Sequence, residues 1–271
     1  MVLSTDTDRL REYIMTRLKV GVQLQNQHTS YADYADAVQR AEAAGVDSLW
    51  NWDHFYPLYG DPEGAHFEGW TLLTAIATLT TRVEFGCLVL CNSYRNPRLL
   101  AHMSKTLDHI SNGRYILGIG AGWFERDYTE YGYEFGTAGD RLRALGQNLP
   151  KFREFWEREV PKPTRDIPIL VGGGGEKVTL KLTAQHANIW NGFGPPETYA
   201  HKNAVLNDWC AQVGRNPADI ERSVTIGFDE LDQCDAYLKA GATHFIMGSG
   251  HPYDQHTYTK LVAWRDAHLK G

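Results

Sequence analysis

Short apolar runs alternate along the chain with stretches whose apolar positions recur at helical spacing. Strands are expected over residues 18–24, 47–52, 83–91, 115–119, 167–171, 187–191, 223–226 and 243–247. Each is followed by an expected helix, over 31–44, 70–79, 97–110, 140–159, 177–187, 196–213, 230–240 and 254–269. Gly45 ends the first helix, and Pro97 opens the third at a position where a missing N–H matters little. Strands that are apolar on both faces need a parallel sheet covered by helices, and strict β–α alternation supplies one. Eight such units in 271 residues fit a single closed (β/α)8 TIM barrel, a fold of about 250 residues. Residues 1–17 precede the first strand as an N-terminal extension, and 18–271 form one α/β barrel domain.

Composition narrows the partners. Hydrophobic residues make up 42% and charged residues 22%, enough for a large core and unlike a disordered chain. The formal charge of −6 argues against nucleic acid or an anionic membrane as main partner. No apolar run approaches the roughly 18 residues of a spanning helix, and residues 1–17 lack the apolar centre of a signal peptide. Cys87, Cys91, Cys210 and Cys234 contain no CxxC pair. A soluble, cytoplasmic protein with reduced thiols is the expectation.

Barrel active sites gather at the C-terminal ends of the strands, so candidate chemistry is sought there. The first strand runs into Gln23-Leu-Gln-Asn-Gln-His28, without the His-x-His pair of a metal hydrolase barrel; no metal site is expected. The second ends Trp50-Asn-Trp-Asp-His-Phe55. Alternation sets Trp50 and Trp52 on one face and Asn51 and Asp53 on the other, with His54 where the chain leaves the barrel. Histidine suits proton transfer near neutral pH, which makes His54 the catalytic candidate. The third strand leads into a polar loop whose Arg95 and Arg98 suit a phosphate or carboxylate. The fourth ends Gly118-Ile-Gly-Ala-Gly-Trp123, small residues that let a flat ring or phosphate approach the backbone. Four consecutive glycines, Gly172 to Gly175, separate the fifth strand from its helix. Exposed N–H groups beside a helix N-terminus suit an anion such as phosphate. Trp190 ends the sixth strand, and Tyr56, Tyr59, Trp123, Trp190 and Phe193 together suggest a partly aromatic pocket. Trp123 and Trp190 are its candidate substrate residues.

Three segments together carry a resemblance. They are Trp50 to Phe55, Tyr94-Arg-Asn-Pro97 with Ser111-Asn-Gly-Arg-Tyr-Ile-Leu-Gly-Ile-Gly-Ala-Gly-Trp123, and Ile169-Leu-Val-Gly-Gly-Gly-Gly175. Over roughly residues 18–250 the chain resembles the luciferase-like monooxygenase superfamily, most closely its coenzyme F420-dependent oxidoreductase branch. The alternative branch uses FMN and molecular oxygen. The resemblance implies hydride transfer between deazaflavin F420 and a small-molecule substrate, in a barrel of a kind that commonly forms homodimers. It implies His54 as the proton carrier. It implies that Asp53, Leu88, Val89, Cys91, Ala121 and Gly122 meet the ring, with a cis peptide near Leu88-Val89. Gly174 and Gly175, with the backbone of Lys177 and Val178, are implied as the phosphate cradle. Two positions depart from the pattern. Sugar-phosphate dehydrogenases of the family carry a glutamate where Trp123 stands, which turns the expected substrate away from glucose 6-phosphate. Many relatives carry an asparagine where Phe124 stands.

Overall fold

A computed structural model describes residues 17–270. The expected N-terminal extension therefore lies outside the described residues, except for Arg17. The elements in chain order are β1 (Lys19–Leu24), α1 (Tyr31–Ala43), β2 (Ser48–Asn51), α2 (Gly69–Leu79), β3 (Glu84–Cys87), β4 (Leu90–Cys91) and α3 (Pro97–Ile110). They continue with β5 (Tyr115–Gly120), α4 (Glu125–Tyr131), α5 (Ala138–Arg158), β6 (Ile169–Gly172), α6 (Thr179–His186) and β7 (Ile189–Phe193). The last are α7 (Pro196–Val213), β8 (Glu221–Ile226), α8 (Cys234–Lys239), β9 (His244–Ser249) and α9 (Gln255–Lys270). Short 3-10 turns precede β8 and α8.

Every strand pairing is parallel, and the ring closes because β3 pairs with β5 as well as with β2. β3 and β4 are two halves of one barrel strand, both paired with β5, so the ring has eight positions. The fold is a closed (β/α)8 barrel. Where one unbroken strand was expected over 83–91, a cis peptide between Leu88 and Val89 interrupts it. The interruption is seated by neighbours. Gln23 Nε2 donates to the Leu88 carbonyl at 2.9 Å, and the Leu88 N–H reaches the Asn51 carbonyl at 2.8 Å. The Val89 side chain projects between Gly120 and Gly172. A Cβ at either glycine would come within 2.7 and 2.9 Å of its methyl groups.

The inward faces form layers. At the base, Lys19 Nζ lies 3.0 Å from both Glu84 and Glu221, and His244 bridges Glu221 and Ser48 at 2.7 Å each. Above them Trp50, Ile116, Leu170, Ile189 and Ile246 make an apolar plug, against which Leu88 and Val89 pack. Gly86 makes room for the Trp50 indole, which a Cβ there would meet at 2.9 Å. The plug closes the barrel from below and gives the mouth a floor. A second, larger apolar cluster fills the space between strands and helices.

Two boundaries matter for function. α4 was not expected; its seven residues carry only a weak helical pattern. α6 begins at Thr179 rather than at 177, so Lys177 and Val178 belong to the turn before it.

Candidate active site

A cavity of about 310 Å³ opens at the C-terminal ends of the strands, a size in the range of small-molecule sites. Its floor is Leu88, Val89 and Leu90; its walls include Gly120, Ala121, Gly122, Gly172 and Gly173. Gln23, Asn191 and Thr225 supply polar groups, and Asp53, His54, Cys91, Tyr94, Trp123 and Phe193 complete the lining. Trp123 is 64% exposed and Phe193 59%, which places both at the open rim.

Of the expected site residues, Asp53, His54, Leu88, Val89, Cys91, Ala121, Gly122 and Trp123 meet in this cavity. Gly174, Gly175, Lys177 and Val178 do not line it; they form the turn that leads away from Gly173. Trp190 is a correction. It is fully buried, its indole N–H donates to the Gly173 carbonyl at 2.9 Å, and its ring stacks on Tyr199 at 4.9 Å. Its side chain points outward from β7 toward α7, and the inward neighbours Asn191 and Phe193 take the cavity places. Nearness to the strand end did not fix which face Trp190 takes; alternation puts Asn191 on the opposite, inner face.

Asp53 is fully committed to protein partners. Oδ2 accepts the Cys91 N–H at 2.9 Å and Arg95 Nη1 at 2.7 Å, while Oδ1 accepts Arg95 Nη2 at 2.9 Å. Arg95 also reaches Glu68, the N-cap of α2. Burial alone would lower the Arg95 pKa, but Asp53 and Glu68 outweigh it and raise the value. The expected anion partner of Arg95 is thus a carboxylate of the chain itself. Arg98 likewise pairs with Glu159. Burial pushes the Cys91 thiol pKa up, and its Sγ lies 3.0 Å from the Tyr128 hydroxyl.

His54 sits among aromatic rings, with Trp123 at 5.6 Å, Phe124 at 5.4 Å and Trp52 at 6.1 Å between centroids. Its Nδ1 is 2.7 Å from Oδ2 of Asp127, a fully buried residue of α4. Sequence reasoning missed Asp127, because nothing in a short polar helix distinguishes an inward carboxylate from a solvated one. His66 lies behind Trp52, whose indole N–H donates to its Nε2 at 3.1 Å. Burial, then the neighbouring His54, pushes the His66 pKa down to about 4, so it is neutral at pH 7.

The glycine turn has a second property. Among the described residues, the backbone N–H groups of Gly174, Gly175, Glu176, Lys177 and Val178 have no hydrogen-bond partner. No side chain caps α6. The Glu176 carboxylate, which could have competed for these donors, is held by Lys202 and His201 of α7. Free amides at a helix start are groups that an anion suits. Among the described residues, no cluster of His, Cys, Asp and Glu could hold a metal ion, and no helix is long and apolar enough to cross a membrane.

Comparison with known proteins finds relatives in sequence and in fold. The family model described as luciferase-like monooxygenase matches residues 13–229. The F420-dependent glucose-6-phosphate dehydrogenase of Kineococcus radiotolerans is 30% identical over 234 residues, covering 79% of this chain and 69% of the relative. The enzyme of that name from Amycolatopsis mediterranei is 31% identical over 180 residues, 59% of this chain. That match takes in 53% of the relative, so the chain aligns with about half of its length. Among solved structures, an F420-dependent secondary alcohol dehydrogenase in complex with an F420-acetone adduct superposes with a TM-score of 0.82 at 17% identity. That match covers 93% of this chain and 99% of the other.

Proposed function

The chain belongs to the luciferase-like monooxygenase family, and from that premise we propose that it is an oxidoreductase transferring a hydride between coenzyme F420 and an uncharged organic substrate. The observation that carries the reading is the continuity of two features. A cavity at the barrel mouth is walled by small residues including Gly172 and Gly173, and the turn of unpartnered amides begins where they end. A planar ring joined to a phosphate matches that shape.

The fit is tested by the missing side chains. Gly120 and Gly172 leave the Val89 methyls room to form a floor, and a Cβ at Gly122 would strike Cys91 Sγ at 2.5 Å. Leu88, Val89, Ala121 and Gly122 would hold the ring, and Gly174, Gly175, Lys177 and Val178 would hold the phosphate through their amides. When bound, the deazaflavin supplies a two-electron hydride donor or acceptor. The chain's part is to orient substrate, exclude water and manage the proton. His54 holds or releases that proton at the nitrogen facing the cavity.

Substrate chemistry follows from the rim. Among the described residues, no lysine or arginine lines the cavity, and the Asp53 charge is matched by Arg95. Trp123 offers an apolar face beside His54, and Phe193 lines the same cavity. Such a subsite disfavours a phosphate ester and suits an uncharged alcohol or carbonyl compound.

Separate titrations of the purified protein with F420 and with FMN test the cofactor. Saturation by F420 alone at low micromolar concentration is expected. Tight binding of FMN without F420 would replace this reading with a flavin-dependent monooxygenase. On the F420-loaded protein, glucose 6-phosphate is expected to leave the cofactor absorbance unchanged.

A further inference from the structure

We propose that Asp127 is the positioning residue for His54: it fixes the imidazole tautomer with the proton on Nδ1, so that Nε2 is the atom offered to the cavity. The role concerns the proton, so its catalytic meaning rests on the reading of His54 given above. The tautomer itself does not.

Asp127 is fully buried and does not line the cavity, so it acts from behind the histidine. Every contact it makes is to a donor or to His54. Oδ1 accepts the Phe55 N–H at 3.1 Å, and Oδ2 accepts the Tyr94 hydroxyl at 3.1 Å. An acceptor carboxylate 2.7 Å from Nδ1 requires a proton on Nδ1. Neutral imidazole carries one proton, so Nε2 keeps its lone pair. Among the described residues, no hydrogen bond reaches Nε2. When Nε2 gains a proton, the positive ring rests against the buried carboxylate.

Other groups near His54 leave this arrangement intact. Tyr94 donates to Asp127, not to His54. His66 uses Nε2 to accept from Trp52 and stays neutral at pH 7. Asp53 is tied to Arg95. Trp52, Trp123 and Phe124 present rings. Asp127 is thus the group that sets which nitrogen carries the proton.

The substitution Asp127→Asn separates positioning from packing, because it keeps the shape. The amide oxygen stays on the Phe55 N–H, and the amide NH2 then faces Nδ1. A donor opposite Nδ1 turns it into an acceptor and moves the ring proton to Nε2.

The test is nitrogen NMR of protein labelled in its imidazoles, with no cofactor present. The His54 signals are identified by their loss in His54→Gln. The wild type is expected to show the Nδ1–H form at neutral pH, and Asp127→Asn the Nε2–H form. Tyr94→Phe removes a donor from the same carboxylate and is expected to keep the wild-type tautomer. An Nε2–H form in the wild type overturns the proposal and needs no variant. So does an unchanged tautomer in Asp127→Asn, or a switch in Tyr94→Phe. On F420-loaded protein, Asp127→Asn is expected to keep cofactor affinity within about threefold and to lose turnover on the order of 100-fold. Failure of F420 to bind would sink the proposed function and leave the tautomer result standing.

Discussion

Arg95 grips Asp53 with both terminal nitrogens, at 2.7 and 2.9 Å, at the side of the cavity floor. The pair does more than neutralise a buried charge. Through the Cys91 N–H on Asp53 and the Glu68 contact of Arg95, it ties β4 to the end of β2 and the start of α2. The carboxylate that resemblance places near the ring also braces the segment that carries Leu88 and Val89.

Removing one half of a buried pair leaves the other charge stranded, which typically costs about 3–5 kcal/mol. Arg95→Met is expected to lower stability by that amount in urea unfolding. The double variant Asp53→Asn, Arg95→Met should recover a substantial part of it. A loss in the double variant equal to the sum of the two single losses would show that the pair does not act as a unit.

His54→Ala removes the proton carrier but leaves the ring's floor and the amide turn in place. Cofactor affinity should change by less than about threefold, while turnover on an identified substrate falls by roughly 10²- to 10⁴-fold. Stopped-flow measurement of the hydride step checks this; an unchanged rate would remove His54 from the mechanism.

Gly172→Ala puts a Cβ 2.9 Å from the nearer Val89 methyl. Overpacking of this kind costs about 1–3 kcal/mol and should push Val89 up into the cavity, weakening cofactor binding. Val89→Ala in the same chain removes the clashing atoms. Restored affinity in the double variant is the expected result, and equal weakness in both would place the effect elsewhere.

Glu221 at the barrel base gives a pH prediction. Burial pushes its carboxyl pKa up, but the charge and hydrogen bonds of His244 and Lys19 outweigh this and hold it down to about 2. A folded value below the ordinary 4.5 means stabilisation present above pH 4.5 and lost as the pH falls toward about 2. Glu221→Gln should therefore be less stable than the wild type at neutral pH. The gap should narrow over that acid window in urea titrations at stepped pH. A gap independent of pH would show that the carboxylate charge plays no part.

Much of this protein was legible in its sequence. Apolar strand runs and amphipathic helices repeat eight times, and burial of both sheet faces leaves a parallel barrel as the outcome. His54, Ala121 and Trp123 could be placed at the mouth because they stand at strand ends, where position follows from local pattern, while Val89 was implied only by the family resemblance. Tertiary structure decided what depends on partners distant in the chain. Asp53 could be known as a brace only once Arg95 lay against it, 42 residues on. Asp127 could be known as the partner of His54 only once α4 folded back across 73 residues. Trp190 turned out to pack outward, because a two-residue period leaves the register of a short strand open until its neighbours fix it. Periodicity is a local property and reaches the elements; hydrogen-bond partnership is non-local, and it determined how the mouth of the barrel is built.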